Sequence, residues 1–171
     1  MAKLPGDYVA GLVDGEGHFG LNFRRSTLYK RKGQPTYHRW VPIFAVMMNK
    51  KDEQLVRDLA DTFECGVLST SVENVQYDIY KLEDLENKVI PFFEKYKLRG
   101  SKNADFKLWK EAVTIIGVEK QRRRQKITRP ATLVNFNEDE LSKLQKIKRE
   151  LMELHGVTKL GLPKGRPRKP I

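Results

Sequence analysis

The stretch Tyr8-Val-Ala-Gly-Leu-Val-Asp-Gly-Glu-Gly17 decides how this chain is interpreted, because small residues and acids recur in it at helical spacing. The pattern predicts a short helix over about Tyr8 to Asp14. Gly15 and Gly17 follow as helix-ending residues. The first secondary-structure element therefore delivers its acidic residues at its own C-terminal end.

One face of this predicted helix is built from small residues. Gly11 and Gly15 are four positions apart and share a face, and Ala10 and Asp14 lie beside them. Glycine inside a helix costs about 1 kcal/mol relative to alanine, so a packing reason is expected. A face this small lets a second helix approach closely. We expect these four residues to form a helix–helix interface.

The acids at the end of the helix have two interpretations. Two such helix ends side by side would bring together four carboxylates, from Asp14 and Glu16 of each copy, as a site for Mg²⁺ or a similar hard cation. Alternatively, the glycines form only a cap and a turn, and the acids are solvated. The helix dipole disfavours acids at a C-terminus, and a bound cation would reverse that penalty.

The rest of the chain alternates between strand and helix patterns. Strands are predicted at about 18–24, 37–48, 66–71 and 76–82, and helices at about 52–63, 83–96, 101–117 and 137–155. This αββαββα order predicts an α+β fold, with a four-stranded antiparallel sheet, helices on one face and further C-terminal helices. We assign residues 1–118 to the core, 119–160 to a basic linker with a final helix of the same domain, and 161–171 to a Pro/Gly-rich basic tail.

Composition restricts the class of partner. The 171 residues carry a net charge of +11, which favours a polyanion such as DNA or RNA. A single cysteine, Cys65, excludes a disulfide framework and a cysteine-rich zinc site. His18, His38 and His155 are scattered and lack the spacing of metal ligands. No secretory signal or apolar run of bilayer length is present, so we expect an intracellular protein without membrane contact.

Val9 to Gly17 resembles the LAGLIDADG motif of the homing endonucleases, and residues 5 to 117 resemble the single-motif members in element order, length and charge. The resemblance implies a homodimer that hydrolyses both strands of a long pseudo-palindromic DNA site, using Mg²⁺ or Mn²⁺ shared between subunits. Glu16 matches the last acid of the motif, where many members carry Asp, and is the implied catalytic metal ligand. The Gly15 carbonyl is the implied supplementary ligand.

The resemblance also implies polar or basic residues around the metals. Asn49 matches the region at the end of the second strand, although relatives carry Gln there and Met48 lies nearby. Either Lys102 or Arg99 matches the region before the last core helix. The alternative for each is phosphate contact or plain solvation.

A sheet with one covered face leaves the other for the major groove of DNA, which accepts a two-stranded ribbon. Alternation places polar strand residues on that open face, and the basic loop between the first two strands extends beyond it. The expected DNA contacts are Asn22, Arg24, Arg25, Ser26, Arg31, Lys32, Arg39, Lys50, Lys51, Ser69, Ser71, Gln76, Asp78 and Tyr80. A one-residue slip in register would exchange the two faces.

Two basic segments outside the core are further candidates for DNA contact. Gln121 to Lys126, with Arg122, Arg123 and Arg124, has no apolar face and reads as a solvated phosphate-binding segment. The tail from Pro163 to Pro170 is similar to an AT-hook, a minor-groove element, or is a generic basic arm. Its candidate contacts are Lys164, Arg166 and Arg168.

Two other functions fit parts of the pattern. A LAGLIDADG domain without cleavage could act as an RNA maturase or a regulator, with RNA as the partner. A structural RNA-binding protein would explain the charge but not the glycine-acid helix. Glu16 favours the nuclease, because a binding protein has no use for that acid.

Overall fold

The computed structural model describes residues 3–27, 36–125 and 136–156. The helices are α1 (Gly6–Glu16), α2 (Glu53–Phe63), α3 (Leu82–Asp84), α4 (Ile90–Lys95), α5 (Lys102–Gln125) and α6 (Glu138–Leu154). The strands are β1 (Gly17–Thr27), β2 (Thr36–Asn49), β3 (Val67–Thr70) and β4 (Asn74–Ile79). A 3-10 turn (Lys50–Asp52) precedes α2, and a π-helical turn (Leu85–Val89) joins α3 to α4.

The four strands form one antiparallel sheet in the order β1-β2-β4-β3. Its register pairs Gly17 with Val46, Phe44 with Ile79, and Leu68 with Tyr77. Side chains alternate between the two faces of a strand, so this register defines which residues face the helices. The predicted α+β fold with a four-stranded sheet is confirmed.

The helix-covered face of the sheet is the hydrophobic core. Phe19 from β1 is completely buried, and its ring lies 5.2 Å from the ring of Trp109 and 5.7 Å from that of Phe93. Phe44 and Tyr77 continue the same buried row across the sheet. Each large aromatic side chain removes 150–250 Å² from water, so this row anchors α4 and α5 to the strands.

Two helices run further than the sequence pattern predicted. α1 continues through Glu16, so the acid is the last helical residue rather than part of a turn. α5 continues across residue 118 as far as Gln125, so the expectation of a break in the helix there is wrong. The helix persists because α6 packs along it and pairs Arg122 with Glu140. Within the described ranges, none of the helices combines the length and apolarity needed to cross a bilayer.

The turn from α1 into β1 depends on Gly17. Its backbone is extended (φ −76°, ψ 151°), and its amide donates to the Val13 carbonyl oxygen to close the helix. A Cβ built at this position would lie 2.4 Å from Val13 Cγ1 and 2.5 Å from the Val13 carbonyl oxygen. The backbone contact cannot be relieved by a side-chain rotation. Gly17 is therefore required by packing, not by a left-handed conformation.

We expect Gly17→Ala to destabilise the chain by roughly 2 kcal/mol or more, since the new methyl group overlaps backbone. In a chain of this size, that loss lowers Tm by about 4–8 °C, which calorimetry measures. Ser142→Ala is the control, because it also introduces alanine but at an exposed position of α6. An unchanged Tm in Gly17→Ala would contradict the packing argument.

Candidate active site

An exposed stripe runs along α1 on the side away from the sheet. Tyr8, Gly11, Leu12 and Gly15 are spaced as one helix face; Tyr8 is 50% exposed, and both glycines are exposed. A Cβ at Gly11 or Gly15 would meet nothing within 4 Å. Nothing within the described subunit therefore requires glycine at either position, although glycine weakens the helix.

Ala10 does not belong to this stripe. It is only 4% exposed and packs with Val9 and Val13 into the core of its own subunit. The prediction that Ala10 lines a helix–helix interface is therefore wrong, because the neighbouring position on a helix is rotated by about 100°. Tyr8 takes its place on the exposed face, and Leu12, which is half-buried against the core, lies at the edge of that face.

Asp14 is engaged inside the subunit. Its carboxylate accepts hydrogen bonds from the backbone amides of Arg99, at 2.8 Å, and Gly100, at 3.1 Å. The interpretation that both acids of each helix join one cation site stays a prediction. Within the subunit, the Asp14 carboxylate ties the end of α1 to the loop that precedes α5.

Glu16 differs from Asp14 in its exposure. It is exposed at the C-terminal end of the α1 stripe, directly beside Gly15. Among the described residues, no group of three or more His, Cys, Asp or Glu could hold a metal ion. One chain thus contributes one carboxylate and the Gly15 carbonyl, both oxygen donors of the kind that Mg²⁺ and Mn²⁺ prefer. These two oxygen donors fit such an ion but do not by themselves complete its coordination.

The loop held by Asp14 leads directly into Lys102, the first residue of α5. The Lys102 ammonium lies 3.5 Å from Asp105 Oδ2, and its side chain is only 20% exposed. Arg99 is exposed, and it contacts Asp14 through its backbone rather than its guanidinium. Both basic candidates are therefore brought to the end of α1, and Lys102 is the one held by a side-chain contact.

His18 lies on the open face of the sheet, two residues after Glu16. Its ring is 5.0 Å from the ring of His155, which follows α6. Burial, followed by the nearby His155 and Lys102, lowers the pKa of His18 below its usual 6.5, so the imidazole is neutral at pH 7. The sequence showed no spacing that would join these two histidines, because α6 brings His155 back from the far end of the chain.

Asn49 is not placed where the motif suggested. The start of β1 pairs Gly17 with Val46, three residues before Asn49, or roughly 10 Å along the strand. The Asn49 side chain accepts a hydrogen bond from the Lys51 amide and caps the 3-10 turn. The open-face residue of β2 next to Val46, on the side away from the His18–Ala45 pair, is Met47, which is 54% exposed. The structure therefore gives Asn49 a capping role and leaves its predicted catalytic role without geometric support.

The open face of the sheet carries the predicted polar residues. Asn22, Arg24, Arg39, Ser69 and Tyr80 are exposed, and Gln76 and Asp78 are half-buried beside one another. Gln76 Nε2 donates to Asp78 Oδ1 at 2.8 Å. Ser71, Lys50 and Lys51 are exposed at the turns that end the strands.

Several of the predicted DNA-contacting side chains fall outside the described residues. The side chains of Arg25, Ser26, Arg123 and Arg124 lie outside the described residues, as do Arg31, Lys32, Lys164, Arg166 and Arg168 altogether. Arg122 is described and pairs with Glu140 of α6. Arg122 thus has a partner within the subunit, although its side chain stays 41% exposed, and its contact with DNA stays a prediction.

Comparison with known proteins places this geometry in a family. A sequence model for the LAGLIDADG endonuclease matches residues 9–113. A probable intron-encoded endonuclease 2 of Neurospora crassa is 27% identical over 123 residues, covering 68% of this chain and 25% of that protein. The chain thus spans about a quarter of that relative's length.

Two solved structures share the fold over most of the chain. The homing endonuclease I-TnaI is 26% identical with a TM-score of 0.68, covering 91% of this chain and 97% of that one. The I-SmaMI LAGLIDADG homing endonuclease bound to cleaved DNA is 25% identical with a TM-score of 0.67, covering 99% of this chain and 53% of that one. With the glycine stripe and Glu16 in place, the match over residues 9–113 shows that the chain belongs to the LAGLIDADG endonuclease family.

Proposed function

We propose that the chain is one subunit of a homodimeric, metal-dependent endonuclease that cuts double-stranded DNA at a specific, long pseudo-palindromic site. One observation carries the proposal: an exposed glycine stripe, unexplained by its own subunit, ends at an exposed carboxylate. Pairing two copies of α1 along this stripe places two Glu16 side chains together. I-TnaI, which matches over 97% of its length, is itself a chain of this size.

Glu16 and the Gly15 carbonyl would hold Mg²⁺ or Mn²⁺ between the two subunits. When bound, such ions activate a water molecule and stabilise the leaving oxygen in phosphodiester hydrolysis. The Lys102 ammonium adds positive charge beside the end of α1, where the phosphate would lie. The loop at Arg99 and Gly100, held by Asp14, ties the start of α5, where Lys102 lies, to the end of α1.

The open face of the sheet would read the bases. Its residues mix donors and acceptors, as in Asn22, Gln76 and Asp78, which suits base edges better than phosphates. Exposed Met47 and Val67 on the same face can contact thymine methyl groups. The neighbour I-SmaMI is described as bound to DNA, both cleaved and uncleaved with calcium ions.

The second candidate is a nucleic-acid-binding protein without cleavage, such as an RNA maturase. The glycine stripe and the basic surface suit it equally well. Exposed Glu16 favours the nuclease, because a carboxylate near a polyanion opposes binding unless a cation neutralises it.

We expect Glu16→Gln to slow cleavage by at least about 100-fold, equivalent to about 2.7 kcal/mol in the barrier, because the amide is a weaker cation ligand. Cleavage of a target selected from a randomised DNA library, in Mg²⁺, measures the rate, and a gel shift measures binding. DNA affinity should change less than threefold. Glu111→Gln, an exposed acid on α5, is the control. Full cleavage by Glu16→Gln contradicts the assignment, and RNA-selective binding without cleavage by the wild type supports the second candidate.

We expect Gly11→Ala to weaken the dimer at least tenfold, since each added methyl group separates two closely packed helices. The isolated helix should gain about 1 kcal/mol, so loss of the dimer cannot be attributed to unfolding. Sedimentation over a concentration series measures the dissociation constant. Ser142→Ala on the exposed side of α6 also improves helix propensity and serves as control. An unchanged dimer, or a monomer bound to a full site, would exclude the shared-helix arrangement.

We expect Lys102→Met to slow single-turnover cleavage by about 10- to 100-fold while DNA affinity stays within threefold, because the ammonium acts on the reacting phosphate. Lys107→Met removes the same charge from an exposed position of the same helix and is the control. Arg99→Met tests the alternative basic residue. A large effect in Arg99→Met with none in Lys102→Met reverses the assignment.

A further inference from the structure

One carboxylate in α5 is buried and serves two basic side chains. Asp105 is 3% exposed. Its Oδ2 atom lies 2.9 Å from His155 Nε2 and 3.5 Å from Lys102 Nζ. Burial of a carboxylate is costly unless it is paired and hydrogen-bonded, so both contacts stabilise Asp105 in this position.

This ion pair differs from the exposed pairs on the same helices. Lys110 pairs with Glu94 and Lys146 with Glu150, and those carboxylate side chains are 49% and 37% exposed. Exposed pairs of that kind contribute little to stability. The Asp105 side chain is 5% exposed in its pair with Lys102, which is itself 20% exposed. Screening by water is weak there, so the contact restrains a lysine stem that is otherwise flexible.

We propose that Asp105 is a positioning residue for Lys102 and that His155 sets the orientation of the Asp105 carboxylate. The proposal rests on the proposed function, because it gives Lys102 its part in DNA cleavage. His155 donates its Nε2–H to the oxygen that faces the ammonium, so that oxygen is shared. The Lys102 contact of 3.5 Å is longer than the 2.7–2.9 Å of a tight charged hydrogen bond. The ammonium is thus oriented while its protons stay available for a phosphate oxygen.

His155 gives the C-terminal helix a part in the site. It follows α6 and lies outside the 9–113 stretch that matches the family. Its ring also lies 5.0 Å from that of His18, on the strand that continues from Glu16. The contacts Lys102–Asp105–His155 therefore connect α6 to the start of α5, which the Asp14 hydrogen bonds tie to the end of α1. In this proposal α6 supports the reaction as well as covering the core.

The central test is Asp105→Asn, which keeps the shape and can still accept from His155 but removes the charge that holds Lys102. We expect single-turnover cleavage to slow about 5- to 20-fold, with DNA affinity within threefold and little change in Tm. In a Lys102→Met background, Asp105→Asn should cause no further loss, because residues that act through one group are non-additive. The control is Glu94→Gln, which removes the ion-pair partner of Lys110, another lysine of α5. This variant should leave the cleavage rate unchanged.

A second readout is independent of cleavage. In the free protein, an ammonium-selective ¹H–¹⁵N NMR spectrum should show a slowly exchanging Lys102 signal, assigned by its loss in Lys102→Met. Asp105→Asn should abolish this signal, and His155→Gln should weaken it. Glu94→Gln should leave it intact. These expectations hold whether or not the free protein cuts DNA.

The outcomes separate the two proposals. A wild type that never cleaves overturns the proposed function, while the Lys102 signal still tests its restraint by Asp105. A cleaving wild type with an unaffected Asp105→Asn rate overturns the positioning role. Further slowing by Asp105→Asn in the Lys102→Met background means that Asp105 supports the fold rather than Lys102, and this outcome also overturns the proposal.

Discussion

The Asp14 carboxylate, through its bonds to the backbone amides of Arg99 and Gly100, determines how the parts of this molecule meet. It joins the motif helix to a loop more than eighty residues away in the chain. Hydrogen bonds to an ionised group contribute about 1.5–3 kcal/mol, and buried Leu98 anchors the same loop to the core. Glu16 ends the element on one side of this junction and Lys102 begins the element on the other, so Asp14 joins the two segments that carry them.

Much of the fold could be read from the sequence because its signals are local. Alternation from His18 to Phe23 and the aromatic second strand predict the β1–β2 ribbon, and the side that each residue faces agrees with the register. The sequence also predicts the N-terminal cap of α6. In the structure, Asn137 and Glu140 exchange the two hydrogen bonds of a capping box. Gly11, Gly15 and Glu16 stand out for the same reason, because their spacing alone places them on one face or at one end.

The errors arise where distant residues decide the outcome. Without the motif, Asp14 and Glu16 are two acids at one helix end, and the bonds that Asp14 accepts from the returning loop are not evident from the sequence. Ala10 looks as small as its neighbours, yet it faces the core because α1 packs on the sheet through Val9 and Val13. Arg122 sits in a segment with no apolar face, and its helix continues because Glu140 comes from α6. For the same reason, sequence patterns do not predict the contacts that join Lys102, Asp105 and His155.

The hydrogen bond between Gln76 and Asp78 has a consequence for changing the specificity of this protein. The two residues are next neighbours on the open face of β4. An amide that donates to its neighbour has one orientation, and that orientation decides whether it offers a donor or an acceptor to a base. In the proposed complex, the base preference at one position therefore depends on the base preference at the adjacent position. To change the DNA sequence that the protein recognises, residues 76 and 78 would have to be varied together. A library that varies only one of them contains mostly pairs that lack the hydrogen bond.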